Sequence, residues 1–307
     1  MKIFLSGCTG LVGNRLVPRL IENGHIPVVL TRRPDFARHC FGKEVGVVSG
    51  NPTVPGPWQK DLENCEGAIN LAGENIFARR WSPEFKKLLE SSRVQSTRII
   101  AETMMKKPRR ADGTPKVLVN ASAIGIYGPR KDEEVTEAST TGSDFLSELG
   151  VEWEKQARQV ETTGIRSVQV RVGIVLDKDG GALAKLLPVF RFFLGGPVGS
   201  GKQYMSWIHH EDLVDIFLLA LNDSKCSGPI NATSPFPVTN RDFARELGKT
   251  LHRPSFLWTP GFALRIVLGE GAQVITQGQR VIPKKAMELG FQFSYPRLPE
   301  ALKSILN

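Results

Sequence analysis

Short apolar runs without polar alternation occur at Lys2–Ser6, Pro27–Thr31, Val45–Ser49, Gly67–Asn70, Val117–Asn120 and Ser167–Val172. Runs of this kind suit strands buried on both faces of a parallel sheet. Between them lie longer amphipathic stretches, Leu11–Asn23, Pro83–Met105 and Asp144–Glu161, each predicted helical. In the last, Leu146, Leu149, Trp153, Ala157 and Val160 recur at helical spacing and form one apolar stripe. Thr141, followed three residues later by Asp144, resembles a capping start. Gly150 interrupts the stripe at a cost of about 1 kcal/mol against Ala. Strands alternating with crossover helices predict an α/β fold built on a doubly wound parallel sheet.

After about residue 175 the rhythm changes. A helix at Leu183–Leu194, the loop GGPVGSGKQ and the strand-like YMSWI lead into a helix at Glu211–Asn222. From Thr239 onward come further helical stretches and the segment PKKAMELGFQFSYP. The expected division is a nucleotide-binding domain over residues 1–240 and a smaller, distinct C-terminal region over 241–307 that supplies a substrate lobe.

Composition adds exclusions. No apolar run is long enough to cross a bilayer. The N-terminal MKIFLSGCTG runs into glycines rather than a signal-peptide cleavage site, so it reads as a first strand. Cys8, Cys40, Cys65 and Cys226 lack any metal or redox spacing and are expected to be reduced thiols in cytoplasm. The net charge is +9, but Arg32-Arg33, Arg79-Arg80 and Lys106–Arg110 are short clusters without interleaved aromatics. Neither nucleic acid nor membrane is the expected partner; a small-molecule substrate is.

The strongest chemical signal is Gly7-Cys8-Thr9-Gly10-Leu11-Val12-Gly13, directly after the first strand and opening the first helix. In that context a glycine triplet is a dinucleotide fingerprint, and the sheet becomes Rossmann-type. Gly7 makes the turn, Gly10 admits a pyrophosphate, and Gly13 lets helix and strand pack closely. The helix N-terminus offers free N–H groups to phosphate. At the end of the second strand, Thr31-Arg32-Arg33 stands where a carboxylate would bind the ribose hydroxyls of NAD. Guanidinium groups pair instead with a 2′-phosphate, so NADP is expected over NAD. Asn70-Leu71-Ala72-Gly73 ends the fourth strand with small residues suited to the adenosine side of a cofactor.

GCTGLVG, NLAGENI, the RRW at 79–81, SSRVQST, SAIGIYG, RVGIVL and WIHHEDL follow one another in an order that resembles the extended short-chain dehydrogenase/reductases. More closely, the chain resembles their atypical subfamily, the epimerase family proteins (NAD-dependent epimerase/dehydratase-like), whose C-terminal region PKKAMELGFQFSYPRLPEAL resembles. The resemblance spans nearly the whole chain. It implies a Rossmann fold with a small C-terminal substrate lobe, and NADP binding through the residues of Gly7–Gly13 (Cys8 aside), Thr31–Arg33, Asn70–Gly73 and Ala121. By position it also puts Arg93 on the helix lining the cofactor cleft and Arg171 at the end of a strand on the substrate side. Each of these arginines is either a phosphate contact or a structural ion pair. Glu74, Asn75 and Arg79–Trp81 form either cleft wall or an exposed loop.

Two motifs mislead. Gly196–Lys202 fits G-x-x-x-x-G-K, but Gln203 replaces the magnesium-binding hydroxyl, and the stretch runs from helix to strand, the reverse of a P-loop. His209-His210-Glu211-Asp212 lacks the i, i+4 spacing of helical metal ligands. More telling is what is absent. Ser122 holds the position of the family serine, yet Asp144–Glu161 carries no tyrosine for the Tyr-x-x-x-Lys pair that short-chain dehydrogenases use as acid and base. Tyr127 and Lys131 have that spacing, but Gly128-Pro129 between them prevents a shared helix turn. Three routes stay open: Tyr127 acting with Ser122; another group such as Glu148, Lys155 or His209; or no turnover. The leading expectation is an NADP(H)-binding oxidoreductase or epimerase-like protein on a small substrate, with Ser122 and Tyr127 facing the nicotinamide. The rival is a catalytically inactive NADP(H) sensor or scaffold.

Overall fold

A computed structural model describes residues 1–306. Its central sheet has seven parallel strands: β1 (Lys2–Ser6), β2 (Ile26–Thr31), β3 (Gly46–Ser49), β4 (Gly67–Asn70), β5 (Val117–Ala123), β6 (Arg166–Val172) and β7 (Gly228–Ala232). They lie in the order 3-2-1-4-5-6-7, so the winding reverses between β1 and β4. That reversal opens a crevice at the carboxyl ends of the strands, where ligands bind in such sheets. The predicted α/β doubly wound architecture is observed; most strand ends agree to within a residue, β5 runs three residues further than predicted, and β7 is not among the predicted strands.

Both faces are covered, which is why the strands do not alternate. On one face α1 (Leu11–Glu22) supplies Leu16, Val17 and Leu20, packed with Leu213, Ile216 and Phe217 of a later helix, His210–Asn222. On the other, Trp58, Leu62, Ile99, Ile100 and Met104 close over Phe4, Ala68 and Leu118. A third cluster joins Leu183, Leu187, Trp207, Phe243, Leu247, Leu298 and Leu302. This smaller core thus draws on residues from either side of position 240.

Local chemistry moves several boundaries. The predicted helix Pro83–Met105 is two α-helices, Pro83–Glu90 and Ser96–Lys106, joined by a π-helical turn at Ser91–Gln95. Asp144, not Thr141, caps the helix Phe145–Arg158, its carboxylate accepting the Ser147 N–H at 2.9 Å. Gly150 belongs there because a Cβ would lie 2.9 Å from the Ile126 side chain. The helix predicted over Leu183–Leu194 runs from Gly181 to Arg191 and stops short because Phe193 takes a left-handed φ of 64°. YMSWI splits into Tyr204–Met205 and Trp207–His209 around Ser206, whose hydroxyl donates to the Gln279 carbonyl and accepts the Val281 N–H.

Candidate functional site

The first βα turn is shaped by close backbone approach. Gly7 has φ +75°, and a Cβ on it would stand 2.5 Å from the Leu71 carbonyl carbon. A Cβ on Gly13 would fall 2.2 Å from the Cys8 Cα, so the helix and the turn before it meet backbone to backbone. At Gly10 the position is different: a Cβ would meet only the Gly7 oxygen, at 3.4 Å. Gly10 is also the N-cap of α1; no side chain caps the helix and its first turn holds no acid. Open N–H donors and open space at a positive dipole end form a cradle for an anion, so the residues fit a dinucleotide pyrophosphate. Leu11, Asn14, Arg15, Asp179 and Gly180 line a cleft beside it.

Arg32 and Arg33 follow β2 at the same end. Both are exposed, the Arg33 guanidinium lies over the Phe36 ring at 4.6 Å, and the Arg33 N–H donates to Thr31 Oγ1 at 3.0 Å. No carboxylate within 4 Å holds either guanidinium among the described residues. Asn70 is buried and acts as a knot: it accepts from Ser6 Oγ at 2.5 Å and donates to Thr97 Oγ1 and Asn120 Oδ1, both at 2.8 Å. Leu71, Ala72 and Gly73 then run past Gly7 as backbone. Arg93, on the π-helical turn, lies against Gly73 and stacks 5.3 Å from the Trp153 ring. Its guanidinium donates only to carbonyls, Glu74 at 2.9 Å and Leu89 at 3.2 Å, and burial pushes its pKa down to about 10. Ala121 sits on β5, half-buried beside the crevice.

The substrate-side residues form a closed circuit. Ser122 Oγ donates to Glu154 Oε1 at 2.7 Å. Arg171 Nε and Nη2 donate to the two Glu154 oxygens, each at 2.7 Å, and Nη1 donates to the Tyr127 hydroxyl at 2.8 Å. That hydroxyl in turn donates to Asn231 Oδ1 at 2.7 Å, and Asn231 donates to the Ile282 carbonyl at 3.0 Å. Tyr127 is 0% exposed. Burial pushes its pKa up, against the pull of Arg171. The expectation that Tyr127 faces a nicotinamide is therefore corrected: its ring fills a core with Ile126, Val135 and Val281, and its oxygen is used on both sides. Arg171 likewise resolves as an ion pair, held charged by Glu154, and not as a phosphate contact. Ser122, expected from the resemblance to face a substrate, is itself only 3% exposed, and its proton is engaged by Glu154.

No motif marks Glu154 or Asn231. The available signal for Glu154 was its phase: it lies four residues after Gly150 and three before Ala157, on a helix face that turns inward. Of the other acid–base candidates, Glu148 and Lys155 are exposed on that helix, and Lys155 pairs with Glu152. His209 is buried, accepts the Glu211 N–H at 3.1 Å as N-cap of the helix His210–Asn222, and stacks on Tyr295 at 3.9 Å. Burial, with the neighbouring His210, pushes its pKa down to about 3. Asp212 accepts the Ser294 and Tyr295 N–H groups at 2.7 and 3.1 Å, and burial raises its pKa to about 6. Neither builds a metal site, and the described residues hold no cluster of three metal-ligand side chains. Residues 195–199, at the start of this stretch, pair with residues 257–259 instead of cradling phosphate. Around the cleft mouth, Trp81 donates to the Ile76 carbonyl at 2.8 Å and packs edge-on to Phe145, while Arg79 and Arg80 are exposed.

A parallel sheet whose winding reverses beside an open glycine turn defines a Rossmann-type nucleotide-binding protein. The model of the NAD dependent epimerase/dehydratase family matches residues 3–232, and a domain of unknown function, DUF1731, matches 259–305. The chain belongs to the NAD dependent epimerase/dehydratase family, among the epimerase family proteins related to extended short-chain dehydrogenases. It is 41% identical to the Arabidopsis thaliana epimerase family protein SDR39U1 homolog, chloroplastic, covering 100% of this chain and 87% of that one. It is 38% identical to the Staphylococcus aureus epimerase family protein SAR0825, each covered in full at 100%. Its structure is similar to that of human epimerase family protein SDR39U1 (isoform2) with NADPH, at TM-score 0.87 and 34% identity over 99% of both chains.

Proposed function

We propose that this chain binds NADP(H) and acts as an oxidoreductase or epimerase-like protein on a small substrate. One observation carries the cofactor: the open Gly10 cradle lies beside Arg32 and Arg33, two exposed guanidiniums with no carboxylate partner among the described residues. Arg32 and Arg33 would pair with the 2′-phosphate, the α1 N–H groups with the pyrophosphate, and the Leu71–Gly73 backbone would border the adenosine; Arg93 and Ala121 would lie along the cleft. The human relative's structure with NADPH supports this reading. When bound, the cofactor supplies hydride chemistry. The chain's part is to orient a substrate through Ser122, whose hydroxyl hydrogen is committed to Glu154 and whose lone pairs accept from a ligand O–H or N–H.

A second reading, that the protein binds NADP(H) without turnover, is favoured by the closed circuit of Ser122, Glu154, Arg171, Tyr127 and Asn231, in which no group is poised to exchange a proton. Calorimetry with NADPH and NADH, followed by NADPH oxidation over a carbonyl panel, separates the readings. Turnover abolished by Ser122→Ala establishes the enzyme; tight NADPH binding with no turnover establishes the sensor. Equal NADH affinity, unchanged in Arg32→Ala/Arg33→Ala, removes the NADP assignment. We place the protein in the cytoplasm on the strength of its four free cysteines; cell fractionation tests this. Among the described residues no helix is long and apolar enough to cross a membrane.

A further inference from the structure

The smaller lobe carries an apolar surface that nothing among the described residues covers. The helix Gly261–Leu268 reads GFALRIVL and has no buried residue. A short helix that is apolar nearly all round is stable in water only if another apolar phase meets it. Phe262 and Ile266, one turn apart, are each 68% exposed. The surface continues over two neighbouring segments: Leu257 N–H donates to the Gly195 carbonyl at 3.1 Å, and Thr259 N–H to the Pro197 carbonyl at 3.0 Å. These segments present Phe192 at 75%, Phe256 at 80% and Trp258 at 57% exposure. At its far end the helix meets the cleft rim, where Gly269 lies beside Arg80 and Glu270 pairs with Lys86.

The segments that build this surface carry charge of one sign, with Glu246 and Glu270 standing just outside them. Residues 186–210 and 247–269 contain Arg191, Lys202, Lys249, Arg253 and Arg265 and no Asp or Glu. Among the described residues, only Lys249 of these meets a carboxylate, that of Glu246. A two-fold contact between copies would set each patch against itself and bring these cations face to face with no acid from either segment to neutralise them. An anionic bilayer surface offers what the patch lacks: a hydrocarbon boundary for the aromatic and aliphatic side chains and negative headgroups for the cations.

We infer that this face, built from residues 192–199 and 253–268, seats the protein on an anionic lipid surface, with the helix Gly261–Leu268 lying in the plane of the headgroups and the cleft rim beside it. Seating of this kind needs no spanning run, so the expectation of no membrane partner, which rests on the lack of such a run, does not reach it. The inference is independent of the cofactor.

Co-sedimentation of the full chain with phosphatidylcholine vesicles, and with vesicles containing about a third phosphatidylglycerol, tests it. The expected result is binding to the anionic vesicles alone, weakened by salt. Phe192→Ser/Phe262→Ser/Ile266→Ser, three exposed positions, should leave the thermal midpoint unchanged and lower that binding at least ~10-fold. Three results would overturn the inference. The chain fails to bind either vesicle and sediments as a single copy. It fails to bind but self-associates, and the triple variant abolishes the association, which makes the face an interface between copies. Or the triple variant binds anionic vesicles as well as the parent chain.

Discussion

The two ends of the crevice are built on opposite principles. At the β1–α1 turn, donors and cations are left without partners: the α1 N-terminus is uncapped, Gly10 faces open space, and Arg32 and Arg33 meet no acid. At the β5–β6 end each polar group is engaged by another, from Ser122 through Glu154 and Arg171 to Tyr127 and Asn231. Unsatisfied groups at a surface are inexpensive while water solvates them and are available to a ligand. A buried polar group must find its partner within the protein, because an unpaired one costs about 1–3 kcal/mol. The first end is therefore prepared for something to arrive, and the second has used its chemistry to hold the fold.

The largest expected effect comes from breaking the closed end. Glu154→Ala leaves the Arg171 guanidinium buried without its carboxylate, and should cost about 3–5 kcal/mol, read from the urea midpoint. A variant as stable as the parent would show that Glu154 serves a ligand and not the fold. At the open end, Arg32→Ala/Arg33→Ala removes charge-assisted hydrogen bonds worth about 1.5–3 kcal/mol. NADPH affinity should fall about 10–100-fold, with NADH affinity and the thermal midpoint unchanged in the same titrations. A drop in stability with no change in affinity would reverse the contrast.

Tyr127→Phe removes one hydroxyl from the circuit and leaves Asn231 Oδ1 and Arg171 Nη1 each short of a partner. A loss of about 1–3 kcal/mol of stability is expected, with NADPH binding untouched. If instead turnover on any substrate disappears while stability holds, Tyr127 is catalytic after all.

The smallest effect concerns His209 and Asp212. Between pH 4 and 6 the unfolded His209 binds a proton that the native one refuses, because its folded pKa lies near 3. This contribution is present above the unfolded value and lost as pH falls. Asp212, raised to about 6 when folded, does the reverse: its native form binds a proton in the same window and gains stability as pH falls. The two slopes oppose each other. His209→Asn should therefore make stability fall with rising pH by up to about 1.4 kcal/mol per unit, and Asp212→Asn should make it rise by a similar amount. Chemical denaturation across that window checks the pair. Two parallel pH profiles would mean that His209 is not held neutral and returns as an acid–base candidate.

Some of this was legible from residue order because it depends on neighbours along the chain. Continuous Val/Ile/Leu runs require strands covered on both faces, and Gly10 and Gly13 answer to contacts within one βα turn, while the approach to Gly7 comes from the distant Leu71 backbone. The missing tyrosine on the helix Phe145–Arg158 is equally local. The pair Arg32-Arg33 was legible as a 2′-phosphate candidate from its place after the second strand, and the fold leaves both side chains exposed. The roles of Tyr127, Arg171 and Glu154 were settled only by tertiary structure. Their partners lie 17 to 104 residues apart, and whether a tyrosine hydroxyl faces a crevice or a core depends on which distant side chain reaches it first. The apolar face around Gly261–Leu268 is of the same kind. Only the folded arrangement shows that it is left uncovered.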